Sequence, residues 1–366
     1  MKKIVALLLA LLMVFGLAAC GGGSTPANNG NTTPANNTEP PKELGFPKEV
    51  KIYIPQAVNN MLDRSGRIMA AYWKEKYPDV KFEILNADGN GNDHARIVAK
   101  AQDANDLSVI MFHGAGAIVQ YYSGDWDYNL ADQSLFKAVC GNVGQEQPSG
   151  AVTLINANET RFDSIPTLVE YIKAHPGEVK ISYTTGTPHE VRIKLILNYF
   201  GVKKEDVQWY PSSANDIRAW IQGGNTDVAI ITETQAAQDI SGGKVKGICN
   251  SVANRDLYTK DLEPLKPVPI IPEIAGVKAE DVDGLVCAWP MTIYVPASVP
   301  DELAQWLNDF CATIRDSEDY MKQIKGLGST NTFQVFSLKQ INDIQQDADA
   351  QIQEVFKAFE GWTPKK

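Results

Sequence analysis

At 366 residues, with 44% hydrophobic and 21% charged side chains, the chain has the make-up of an ordinary globular protein and the length for about two domains. Its formal net charge of −10 leaves no visible basic surface of the kind that neutralises phosphates, which excludes nucleic acid as a partner. An acidic chain can still hold a small anion, because loop amides and helix N-termini act locally.

Residues 1–19 read as an export leader. Lys2 and Lys3 form its positive start, and residues 4–17 are an apolar run too short for a comfortable membrane span. The run ends in Leu17-Ala18-Ala19-Cys20-Gly21, which resembles the lipobox of bacterial lipoproteins. That resemblance implies lipidation of Cys20 and an extracytoplasmic protein lipid-anchored to the bacterial cell membrane. A plain signal peptide that happens to contain a cysteine is the alternative. Residues 20–43 follow as Gly, Ser, Thr, Pro and Asn, with the near-repeat Thr25-Pro26-Ala27-Asn28-Asn29 and Thr33-Pro34-Ala35-Asn36-Asn37. They bury too little to offset chain entropy, so a disordered tether is expected.

The folded part begins near Leu44. Ile52 and Ile54 alternate with Lys51 and Tyr53 as a strand, and Pro55 ends its ladder. Asn59 and Asn60 are the non-glycine type that best tolerates left-handed backbone. From Asp63 the spacing of Ile68, Ala71 and Tyr72 is helical. A strand, a polar turn and a helix form a socket of outward-pointing N–H groups suited to small polar ligands. Asn59, Asn60 and Met61 are therefore expected to contact ligand. Asp63 orders the loop and accepts a ligand donor, or caps the helix. Arg64 reads as a surface residue rather than an anion fork. A second strand over 80–85 enters the turn-rich loop 86–93, a helix follows with Ile97, Val98 and Ala101, and a third strand over 107–112 ends in His113-Gly114-Ala115-Gly116. This βαβ series predicts a parallel sheet. Phe112, His113 and Gly114 lie at the same sheet edge, and His113 either reads ligand charge or is a satisfied loop histidine.

A second α/β series begins with a strand over 151–156. Ser164 caps a helix with Pro166 in its first turn, and a strand over 179–183 enters the loop Thr184-Thr185-Gly186-Thr187. A helix over 191–200, a strand over 207–210, a helix over 213–222 and a strand over 228–231 follow. Two such lobes place a cleft between them, where small ligands bind. Thr184, Thr185, Gly186 and Thr187 are the second lobe's ligand candidates, joined at strand ends by Ser212, Ser213 and Glu233. His189 reads as a capping or surface residue. Apart from Cys20, the cysteines Cys140, Cys249, Cys287 and Cys311 lack metal spacing, and pairing or free burial both remain open. There is no G-x-S-x-G, H-E-x-x-H or G-x-x-x-x-G-K-[ST] motif, so no catalytic residue, metal or cofactor is expected.

In order and spacing, residues 47–362 resemble the extracytoplasmic receptors of tripartite tricarboxylate transporters, the TctC/Bug family. Where those receptors carry a pattern like V-P-F-A-A-G-G-G-T-D, residues 54–63 read I-P-Q-A-V-N-N-M-L-D. N-R-P-G-A-G-G-N is echoed from Asn86 to Asn92, L-L-L-G-T-S-G from Val109 to Ala115, and L-L-G-G-x-x-D from Ile221 to Asp227. A-G-K-L-R-A-L is matched at 242–248, V-P-T-x-x-E-x-G at 268–276, and Trp289 with 295–302 echoes W-x-G-x-x-A-P-A-G-T-P-x-E. The resemblance implies an α/β, type II periplasmic-binding-protein-like fold with two lobes, a ligand cleft between them and a discontinuous first lobe. Residues 44–153 plus 288–366 would form lobe 1 and 154–287 lobe 2, with 151–156 and 291–295 as hinge-crossing strands. The helices over 301–315 and 338–359 would return to lobe 1. It implies a monomeric solute-binding lipoprotein, not an enzyme, that captures a small organic carboxylate and delivers it to a membrane permease. The carboxylate could be a di- or tricarboxylate, an amino acid or an aromatic acid. A ligand-sensing lipoprotein signalling to a membrane kinase, or a lipid-anchored enzyme, are the alternatives. The glycines lost at 59–61, the missing aromatic at Gln56 and the short 186–189 loop fall on the ligand, so ligand identity is not fixed.

Overall fold

The alternation at Ile52 and Ile54 becomes strand β1 (Glu49–Ile54), and Gly66 lets helix α1 (Met61–Lys76) lie close behind it. A Cβ on Gly66 would stand 2.5 Å from Ile54 Cδ1 and 3.1 Å from Phe112 Cδ1, so only a bare backbone fits there. The computed structural model describes residues 44–59, 61–87, 91–114, 116–141, 150–255, 262–286, 289–327 and 336–361. The leader, Cys20 and the tether lie outside the described residues, as do Asn60 and Cys287. Residues 44–366 form one compact unit.

The first sheet adds β2 (Lys81–Asn86), β3 (Val109–Gly114), β4 (Phe136–Gly141) and β10 (Met291–Pro296), in the order β2-β1-β3-β10-β4. Helices α2 (Gly91–Lys100) and α3 (Ala117–Ser123) connect its strands. The second sheet holds β5 (Ala151–Asn156), β6 (Lys180–Tyr183), β7 (Gln208–Pro211), β8 (Val228–Thr232) and β9 (Val245–Asn250), in the order β7-β6-β8-β5-β9. Its helices are α4 (Ile165–Ala174), α5 (Pro188–Tyr199), α6 (Ala214–Gly223) and α7 (Glu233–Ser241), and α8 (Val282–Val286) precedes the return. The chain is therefore α/β with two sheets of matching strand order.

Neither sheet is purely parallel, against the sequence expectation. β10 runs antiparallel to β3 and β4, and β5 antiparallel to β8 and β9. Periodicity reports which face a strand buries, not its direction, so these two reversals left no trace in the pattern. Nor does either strand itself cross between sheets. Ala151 already pairs with Thr232 in the second sheet, and Met291 with Gly114 in the first. The chain changes sheet between Gly141 and Ala151, a few residues before the expected boundary at 153.

Three C-terminal helices complete the unit: α9 (Asp301–Ala312), α10 (Glu318–Gly326) and α11 (Leu338–Glu360). Leu303, Leu307 and Cys311 of α9 and Ile324 of α10 bury against β1, β3 and α1 with Trp73 and Phe112. The α11 helix grips both lobes rather than lobe 1 alone. Near its start Asn342 donates to the Ala138 carbonyl, and Tyr294 donates to Gln345 at 2.7 Å. At its end Phe359 packs edge-on to Trp209, and Glu360 pairs with Lys194 and Lys204. Cys140, Cys249 and Cys311 are buried free thiols. Among the described residues no helix is long and apolar enough to cross a membrane.

Candidate ligand site between the two lobes

The β1–α1 turn is held by one carboxylate. Asn59 has the left-handed φ of 71° that the sequence anticipates for it. Its N–H donates to Asp63 Oδ2 at 2.7 Å, and Arg67 Nε donates to the same oxygen at 3.0 Å. Asp63 Oδ1 accepts from Asn86 Nδ2 at 2.9 Å and pairs with Arg67 at 3.0 Å. Asn86 also donates to the Gln56 carbonyl, which ties the end of β2 to the turn. Burial, which favours the neutral acid, is outweighed by the hydrogen bonds from Arg67, Asn59 and Asn86, and the Asp63 carboxyl is held below the ordinary aspartate value. Both of its oxygens are thus engaged in ordering the loop. Met61 opens α1, and Arg64 is exposed, as its surface reading expects.

At the end of β3 the expectation for Phe112 changes. Phe112 is fully buried in the lobe 1 core behind the sheet, against Gly66, because side chains alternate along the strand and its neighbour takes the other face. Burial, against the Gly114 carbonyl hydrogen bond, pushes the His113 pKa down to about 4. Its Nδ1 lies 2.9 Å from the Gly114 carbonyl oxygen, while Nε2 is buried without a partner. The ring sits edge-on to Trp126 at 5.5 Å, and Trp126 fills the space over Gly91, whose added Cβ would stand 2.5 Å from Cζ2. Gly91 also faces Pro55. The indole of Trp126 thus lies between the start of α2 and the end of β3. Trp126 had no sequence signal of its own.

In the second lobe Thr184 to Thr187 form a tight turn before α5. Thr187 Oγ1 donates to the Thr184 carbonyl at 2.6 Å, and Gly186 has φ +68°. The Gly186 N–H donates to Glu190 Oε2 at 2.9 Å, so this amide, expected to serve ligand, is already satisfied within the chain. Thr185 is exposed and Thr184 partly so. The two lobes meet here. A Cβ on Gly116 would stand 2.8 Å from Pro188 Cγ, and one on Gly186 would stand 3.5 Å from Gln120 Cγ. The β3–α3 and β6–α5 turns thus face each other across the junction.

Behind that turn, α5 carries Glu190, Arg192 and Lys194, all buried on a helix otherwise lined with Val, Ile and Leu. Lys194 Nζ lies 2.6 Å from Glu190 Oε1 and 2.9 Å from Glu360 Oε1, with the rings of Tyr183, Trp209 and Phe356 around it. Charges at i, i+2 and i+4 of an apolar helix were the available signal, and the sequence reading passed over it. Arg192 Nε donates to the Val286 carbonyl. Burial, with the Arg192 charge added, pushes the pKa of His189, a partly exposed residue in the first turn of α5, down to about 3.

The remaining candidates separate. Ser212 and Ser213 both donate to Asp216 Oδ2, and Ser213 Oγ accepts from the Asp216 N–H, so Ser213 caps α6. Glu233 is buried at the start of α7, where Asn250 Nδ2 donates to it at 2.7 Å. Burial raises its pKa, partly offset by Asn250, the Gly150 amide and the Arg192 charge. The β3–α3 and β6–α5 turns thus face each other, and Ser212 and Ser213 follow β7 beside the latter, the Ser212 N–H donating to the Tyr183 carbonyl at 3.0 Å.

No protein-family model matches the chain, and no curated protein matches it in sequence. Solved structures do match in fold. MatC from Rhodopseudomonas palustris, with bound malate, superposes with a TM-score of 0.59 at 17% identity over 84% of this chain and 98% of its own. A TctC solute-binding protein from Polaromonas gives 0.64 at 13% identity over 84% and 98%. A second R. palustris protein, with adipate, gives 0.58 at 18% identity over 85% and 96%. At such identities the likeness is one of architecture. The chain has the two-lobed α/β fold of the periplasmic binding proteins.

Proposed function

We propose that the chain is an extracytoplasmic solute-binding lipoprotein that captures a small organic carboxylate between its lobes and delivers it to a membrane permease of the tripartite tricarboxylate type. The observation that carries this reading is the meeting of the β3–α3 and β6–α5 turns, through Gly116 and Pro188, beside the ordered β1–α1 turn. A ligand touching turns from both lobes favours their closed arrangement, because it gains contacts only when they approach. Thr184 and Thr185 supply hydroxyl donors from lobe 2, and the β1–α1 turn at Asn59 forms the opposite wall. Asp63 and Glu190 shape these walls from behind rather than contacting ligand. That two fold relatives hold malate and adipate supports a carboxylate as the ligand class. The Cys20 motif supports the lipid anchor, and no residue is assigned a catalytic role.

A thermal-shift screen against mono-, di- and tricarboxylates, amino acids and aromatic acids tests the reading. A ligand at a hundredfold excess over its Kd adds roughly 2.7 kcal/mol of stability. A clear shift with sugars or cations and none with any carboxylate would overturn it.

A further inference from the structure

One nitrogen of His113 has no role in the fold. Nδ1 lies 2.9 Å from the Gly114 carbonyl oxygen, and a carbonyl only accepts, so Nδ1 carries the hydrogen and Nε2 is left as a lone pair. That lone pair is buried and has no hydrogen-bond partner, on a side chain only 7% exposed. Buried acceptors are almost always satisfied, and an exception calls for a reason. Protonation does not supply one near neutral pH, because burial holds the ring neutral, with its pKa at about 4. The core does not supply one either: the ring's neighbour Trp126 stands edge-on to it at 84°.

The position is informative. His113 lies near the end of β3, opposite Thr292 of β10, and its neighbour Trp126 packs over Gly91 at the start of α2. Three residues on, Gly116 meets Pro188 of the second lobe. His94, on the first turn of α2, repeats the situation. It is 8% exposed, packs edge-on to Tyr53 at 5.0 Å, and leaves Nδ1 buried without a partner. Lobe 1 therefore holds two imidazoles with a buried, unpartnered nitrogen, and His113 is the one on the strand that leads into the β3–α3 turn.

We infer that His113 Nε2 accepts a hydrogen bond from a donor on the ligand, so that the receptor prefers hydroxy- or amino-substituted carboxylates to their unsubstituted parents. The inference rests on the receptor reading above and makes it more specific. An ionised carboxylate offers only acceptors, so it repels a lone pair. A hydroxyl or ammonium beside the carboxylate supplies the missing proton. A site that hydrogen-bonds such a group rejects the analogue lacking it, because the site's own polar atom is then left unpaired.

Isothermal titration of the purified protein with matched pairs tests this: malate against succinate, lactate against propionate, and aspartate against succinate. The expected result is that, in at least one pair, the substituted member binds roughly tenfold more tightly or better, the discrimination of about one well-made hydrogen bond. His113→Phe keeps a ring against Trp126 but removes both nitrogens, so it should lose the preference, the substituted acid falling to the affinity of its parent in the same variant. His113→Gln keeps an acceptor oxygen and should retain part of it. Thermal unfolding of each free variant shows whether it is folded, and the wild-type comparison needs no variant at all. Equal or weaker binding of the substituted member in every pair overturns the inference while leaving the receptor reading intact, and points to a resident water on Nε2. A preference that survives His113→Phe also overturns it. Absence of binding by any of these acids overturns the receptor reading and the inference together.

Discussion

Replacing Lys194 with methionine tests how the second lobe's β6–α5 turn is held. Lys194 is buried, its Nζ pairs with Glu190 and Glu360, and Tyr183, Phe356 and Trp209 surround it at 5.1, 5.4 and 5.6 Å. Methionine fills much of the same volume, so packing changes little and the electrostatic loss dominates. Glu190 would keep its bond from Gly186 N–H but lose its counter-charge in an environment where its side chain is 4% exposed. Breaking one side of such a buried pair costs about 3–5 kcal/mol. Glu360 contributes little to that figure, since it is a third exposed and keeps Lys204. Denaturant unfolding should show the loss as a lower midpoint at unchanged m-value. Thermal midpoints should fall by roughly 2 °C per kcal/mol in a unit of this size. Adding Glu190→Gln removes the stranded carboxylate, so the double variant should be more stable than Lys194→Met alone. A single-variant cost under about 1 kcal/mol, with simple additivity in the double, would refute the buried pair.

Three further outcomes follow from the turns. The Asp63 carboxyl is held below its reference value of 3.8, so its contribution is complete above the unfolded-state pKa and fades as pH falls through the lower folded value. Unfolding measured from about pH 5 downward should show this acid loss, and Asp63→Asn should be less stable at neutral pH and lack that part of the pH dependence; an identical pH profile in the variant would contradict the assignment. Gly116→Val places carbon where Pro188 stands, at 2.8 Å from a Cβ, so it should hold the lobes apart, weaken ligand binding and raise the radius of gyration in solution scattering. Unchanged affinity and size would mean that the lobes do not need this contact. Ser213→Ala should cost about 1 kcal/mol in denaturant unfolding through loss of the α6 cap; an unchanged midpoint would contradict the cap.

Residues with a local signature were legible. Asn59 takes the left-handed backbone because its short amide tolerates it, Ser164 caps α4 with Pro166 in the first turn, and Gly224 ends α6 with φ 72°. The strands at β1, β5 and β8 follow the apolar pattern to within a residue or two. What depends on distant partners was not legible. Strand direction in β5 and β10 is set by where the chain re-enters each sheet. Phe112 and His113 are adjacent in sequence, yet strand alternation sends one into the core and the other toward Trp126. The Gly186 amide looked available until the buried carboxylate of Glu190, held by a lysine whose second partner lies 166 positions along the chain, was seen to occupy it. Sequence pattern locates a turn; which of its donors remain for a ligand is decided by tertiary pairing.

The central claim is that a carboxylate binds where the turns of the two lobes meet. Hydrogen exchange of the protein, with and without a carboxylate found to stabilise it, measures this segment by segment. The account predicts slowed exchange in the β1–α1 turn at 55–63, the β3–α3 segment at 113–118 and the β6–α5 turn at 184–190, with little change elsewhere. Protection confined to another surface, such as the groove formed by Phe136, Lys137, Asp301 and Leu338, with none in these turns, would contradict it.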